Sequence, residues 1–127
     1  MTLVTALYAG ILGLIGIGIG IVAGRTRGKA HISIGDGGNL EMMTAMRRQA
    51  NFIENVPVAL ILIGLLEMNG VGSAAIHGLG AGLVVSRLSH AFGFRADGRF
   101  APLRAIGAGG STLILVIASI WAITLYF

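Results

Sequence analysis

Residues 1 to 24, 68 to 86 and 105 to 127 contain no Asp, Glu, Lys or Arg. A helix needs roughly 20 such residues to cross ~30 Å of hydrocarbon, so each run is predicted to span a membrane. A fourth charge-free run, 55 to 66, is too short alone and spans only if its helix extends back through Ala50, Asn51 and Glu54. The polar stretch "MRRQANFIENVP" must then enter the membrane. Composition agrees: of 127 residues, 55% are apolar and 11% charged, with mean hydropathy +0.88, far from a soluble domain. The chain therefore reads as an integral membrane protein. Its first run has no basic leader and carries its positive charges afterwards, so it is read as a helix and not as a signal peptide.

Charge placement predicts the topology. The nine basic residues, Arg25, Arg27, Lys29, Arg47, Arg48, Arg87, Arg95, Arg99 and Arg104, fall in or near the connections after the first and third helices. By the positive-inside rule these connections are cytoplasmic and both termini are periplasmic. Topology also accounts for the net charge of +4, and no nucleic-acid partner is expected. The chain has no cysteine, which excludes disulfides, thiolate metal sites and a cysteine nucleophile. Any thiol chemistry must come from a ligand.

Helices are predicted at about 2–23, 40–68, 72–94 and 103–126, forming one all-α domain over 1–127. Short connections make it an up-down-up-down four-helix membrane bundle. Asn39 is the predicted N-cap of the second helix, with Glu41 in its first turn. Gly16, Gly20 and Gly24 form a predicted close-packing seam on the first helix, and Gly78 and Gly82 one on the third. Pro57 permits a kink in the second. Trp121 and Tyr126 fit an aromatic interface belt. Met42, Met43 and Met46 are assigned to packing. His77 and His90 are too far apart for a metal site, and none is expected.

The polar residues fall on shared faces. Arg47, Asn51 and Glu54, spaced four and three apart, form one stripe on the second helix. Glu54 lies roughly six residues, ~9 Å, inside the membrane edge, where a lone carboxylate is costly. Arg87 and His90 share a face of the third helix at matching depth, so Glu54 is predicted to pair with Arg87 across the helix boundary. A structural staple would explain that pair, but it leaves Arg47, Asn51, His90 and Arg104 without a role. An arginine-rich pocket open to the cytoplasm suits a small anionic ligand bearing carboxylates, which guanidinium groups bind bidentately.

At these residues the chain resembles the MAPEG family, the membrane-associated proteins in eicosanoid and glutathione metabolism, and in particular its small bacterial members. Arg47, Asn51, Glu54 and Pro57 match the family's second-helix motif. "RTRGKA" with Arg25, "RLSH" with Arg87 and His90, and "APLR" with Arg104 match the other three helices in order. The resemblance implies an inner-membrane homotrimer that binds glutathione as co-substrate between subunits, through Arg25, Arg47, Asn51, Glu54, Arg87, His90 and Arg104. Asp36 is a weaker candidate, and Arg48, without a firm counterpart, is assigned to lipid phosphate. The resemblance implies a transferase or peroxidase acting on hydrophobic electrophiles or lipid hydroperoxides. Arg104 is the residue expected to favour the thiolate. Two positions depart from the better-known enzymes, with Phe94 where a tyrosine stands and Ala105 where some have a serine. Tyr8 and Tyr126 lie too far away to replace those donors. The alternative is a non-catalytic relative that binds lipid.

Overall fold

The computed structural model describes residues 3–94, 97 and 101–127. Four helices make up the fold: α1 (Val4–Ala30), α2 (Leu40–Met68), α3 (Ser73–Gly93) and α4 (Pro102–Thr124). Among the described residues there is no strand. α1 packs on α2 and α3, and α4 packs on α3 and α2, while α1 and α4 do not touch. Viewed end on, the order around the bundle is therefore α1, α2, α4, α3. Clefts run along two opposite boundaries, one beside α2 and α4 and one beside α1 and α3.

The main core is an apolar seam that includes Leu12, Phe52, Val56, Ile63, Ile76, Leu83 and Ile114. Much of the outer surface is as apolar as this core: Leu14, Ile17, Ile61, Val85, Phe92 and Ile120 are all exposed. A water-soluble protein rarely shows so much contiguous apolar surface; hydrocarbon is the solvent that suits it. By length and composition α1, α2 and α4 can each cross a membrane. α3 is not among these spans, although 68–86 is free of charge, because that run spends its first residues on the turn before Ser73 and the helix then takes in Arg87. It tolerates its polar side chains by turning them inward, with Arg87 1% and His90 5% exposed.

Two expectations are corrected. α1 does not stop near residue 23 but runs to Ala30 through the basic segment. Charge marks where a helix leaves the membrane, not where it ends. His31, with φ 53°, closes it, and Arg27 then donates to the carbonyls of Ile32 and Gly35, holding the following loop. The glycine seams also shift. A Cβ on Gly16 would lie 2.8 Å from Phe52 and one on Gly82 3.2 Å from Ile114, but Gly24 and Gly78 face open space, and α3 makes a further close contact at Gly80, against the Tyr8 ring. Asn39 caps α2 as expected, accepting from the Met42 N–H at 2.9 Å. Of the three methionines assigned to packing, Met42 and Met46 pack with Ala23 and Ala45, whereas Met43 is exposed. Arg95 and Arg99 lie outside the described residues.

Candidate functional site

Near the basic end, on the α2/α4 face, a cleft of about 290 Å³ is lined by Arg47, Asn51, His90, Phe94, Arg104, Ala105 and Ala108. The spacing of Arg47 and Asn51 on α2 puts both on its wall. His90 and Phe94, four apart on α3, form the back, their rings edge to face at 5.1 Å. The Arg104 guanidinium lies over the Phe94 ring at 5.1 Å, a cation–π contact that holds it at the cleft edge.

What brings α4 this close is two missing side chains. A Cβ on Gly93 would fall 2.2 Å from the Arg104 backbone nitrogen, and one on Gly107 would fall 2.4 Å from that of His90. Backbone atoms cannot yield to that. Close approach also leaves the Gly107 carbonyl within reach of Arg87, which donates to it at 2.9 Å and to Asn51 Oδ1 at 2.8 Å. Arg87 therefore ties α2, α3 and α4 together and fixes the Asn51 side chain at the cleft.

Arg87 does not pair with Glu54, as the shared depth had suggested. Glu54 is exposed on the outer surface of α2, and the two terminal nitrogens of Arg87 bond neutral oxygens instead, its buried Nε having no partner. Nor does Arg87, fully buried, line the cleft. The structure thus gathers Arg47, Asn51, His90 and Arg104 and leaves Arg25 and Glu54 outside, both exposed on the single chain. Asp36 serves its own loop, accepting from the Gly38 N–H at 3.0 Å.

Sequence reasoning noticed Phe94 and Ala105 only as absent donors, yet both are cleft walls. The four-residue spacing of His90 and Phe94 was the available signal. Arg48 was undervalued: it donates to the Phe94 carbonyl at 3.1 Å, with its guanidinium 5.8 Å from the ring on the side away from the cleft lining. Among the described residues, neither the Arg47 nor the Arg104 side chain hydrogen-bonds or ion-pairs with another, so the cleft presents two uncommitted guanidiniums.

A model of the MAPEG family matches residues 5–124, essentially all four helices and the connections that carry these side chains. The chain belongs to the MAPEG family. Within curated proteins, this MAPEG chain is 32% identical over 122 residues to the inner membrane protein YecN of Escherichia coli K12, covering 94% of this chain and 92% of that protein. The YecN of Escherichia coli O6:H1 matches to the same extent. No solved structure matches.

Proposed function

We propose that this MAPEG protein is a glutathione-dependent transferase or peroxidase of a bacterial inner membrane, acting as a homotrimer on hydrophobic electrophiles or lipid hydroperoxides, with both termini periplasmic. The observation that carries the reading is the convergence of Arg47, Asn51 and Arg104 on a cleft whose lining contains no carboxylate. Its volume is near the lower end of the ~300 to 1,000 Å³ typical of ligand sites. An anionic peptide supplies what these donors lack. Arg47 and Asn51 would hold a glutathione carboxylate, and Arg104 would face the thiol. Glu54 and Arg25 could reach the same ligand only across a subunit boundary, which is why a trimer belongs to the proposal.

The chemistry follows from the charge. A fixed cation beside a thiol in low dielectric favours the thiolate, whose proton passes to water at the open mouth. The thiolate sulfur attacks an electrophilic carbon, forming S–C while the leaving group departs with the bonding pair. With a hydroperoxide, two glutathione molecules give the disulfide, the lipid alcohol and water. Ala105 and Ala108, continuous with the exposed Ile106 of α4, give an apolar partner a path from the bilayer.

A second reading keeps the fold without the catalysis. Phe94 and Ala105 line the cleft and bring no hydroxyl to a thiol, which suits a protein that only binds lipid. Calorimetric titration of glutathione, followed by rates with a panel of electrophiles, separates the readings. Saturable binding that is lost in Arg47→Ala, with turnover about 100-fold lower in Arg104→Ala, supports the enzyme. Binding without thiol-dependent turnover favours the second reading. No binding at millimolar glutathione by a monodisperse protein sinks the pocket assignment.

A further inference from the structure

The α1/α3 face, across the bundle from the cleft, carries a groove of about 360 Å³ lined chiefly by Ile15, Gly18 and Val22 of α1 and Leu88 and Phe92 of α3, with Arg48 of α2 at its head. The groove is apolar along its length. Gly18 leaves its floor open, since a Cβ there would meet nothing within 4 Å, and Phe92 stands as a wall, 80% exposed.

Arg48 is the cation on the groove wall. One of its terminal nitrogens donates to the Phe94 carbonyl. A guanidinium at the top of an apolar groove is costly there unless an anion offsets its charge. Beyond it the same arginine borders a polar recess of about 240 Å³ with Thr26, Thr44 and Glu41. Lys29, eleven residues past Gly18 and so on nearly the same face of α1, is exposed in line with the groove. The order of environments along this face is hydrocarbon, fixed cation, then a recess containing a carboxylate.

From this order we infer that the α1/α3 groove is a binding site for a membrane phospholipid with an amino headgroup: one acyl chain lies along Ile15, Gly18 and Val22, the phosphate sits on Arg48, and the ammonium faces Glu41. A phosphate takes charge-assisted hydrogen bonds from a guanidinium, and of the Arg48 terminal nitrogens one donates to Phe94. Glu41 accounts for the headgroup. An acidic side chain beside the phosphate position repels an anionic headgroup and accepts from an ammonium. This site is independent of glutathione and of any activity.

The test is native mass spectrometry of the full chain released from vesicles containing equal phosphatidylethanolamine and phosphatidylglycerol. One phosphatidylethanolamine retained per chain is expected. Arg48→Gln should lower retention about tenfold, and Gly18→Leu, which fills the groove without touching charge, should do the same. Arg47→Gln, on the opposite face, should leave it unchanged. Circular dichroism and size exclusion confirm folding; if Arg48→Gln fails to fold, Gly18→Leu still decides. Retention unaffected by either change, or equal for the two headgroups, overturns the assignment. So does a Gly18→Leu variant that loses its oligomeric state while keeping its lipid, because a second copy of the chain would then be what covers the groove.

Discussion

The two ends of the bundle handle polarity in opposite ways. At the end away from the basic connections, Glu67 of α2 accepts from the first-turn N–H groups of Val4 and Thr5, and the Tyr8 hydroxyl meets His77 Nδ1 at 2.9 Å. The carboxylate caps the positive end of α1, and the ring pair ties α1 to α3. These groups are spent on one another. At the basic end the buried arginine is spent too, on Asn51 and Gly107, but Arg47 and Arg104 are left exposed around a cleft. A polar cluster that closes on itself is a staple. One that keeps charged donors facing a cavity is built to receive something, and the comparison can be broken at five positions.

The largest expected effect is at the α3/α4 contact. Gly107→Ala would place a methyl carbon 2.4 Å from the His90 nitrogen and 2.5 Å from the Ser86 carbonyl oxygen. Overpacking against backbone is expected to cost about 3 kcal/mol, read as a fall in the thermal midpoint in detergent, with glutathione binding lost as the cleft deforms. A variant that kept both would show that the close helix contact does not set the site.

Next is Arg87→Lys, which keeps the buried charge and removes the fork that reaches Asn51 and Gly107 together. A loss of about 2 kcal/mol in stability is expected. The diagnostic readout is binding: glutathione affinity should fall although Arg87 is not on the cleft wall, because Asn51 is no longer held. Unchanged affinity would reduce Arg87 to a structural staple.

The partners of Arg87 show what the sequence could and could not reveal. Charge-free runs located all four helices, because hydrocarbon penalises charge directly. The spacing of Arg47 with Asn51, and of Arg87 with His90, showed which side chains share a face. Periodicity says nothing of how one helix is rotated against the next, and so Glu54 and Arg87 looked like a pair at equal depth when Glu54 points outward. Of the two partners of Arg87, Asn51 and the Gly107 carbonyl, the second has no residue type to announce it; it is reachable only because Gly93 and Gly107 let the helices meet. The staple at the other end was hidden for the same reason, since Glu67 bonds to backbone N–H groups.

Glu67→Gln sharpens the comparison from that other end. It removes the charge from the α1 cap and is expected to lower the thermal midpoint, while calorimetry should give wild-type glutathione affinity. Weakened binding there would mean that the ends are coupled through α2, and that the distinction between staple and site is too clean.

The smallest effects come from exchanging one hydroxyl at each end. Tyr8→Phe removes the contact with His77 and is expected to cost about 1 kcal/mol of stability, a neutral hydrogen bond, with no change in the cleft. Phe94→Tyr adds a hydroxyl beside His90 and Arg104, in a cavity with room to receive it, and should leave stability unchanged. If a thiolate forms there, the new donor should raise thiol-dependent turnover by about fivefold, the same energy spent on a transition state. If turnover stays at background while glutathione affinity improves, the cleft binds the peptide without activating it. The basic end would then be a receptor, and Phe94 a reason why.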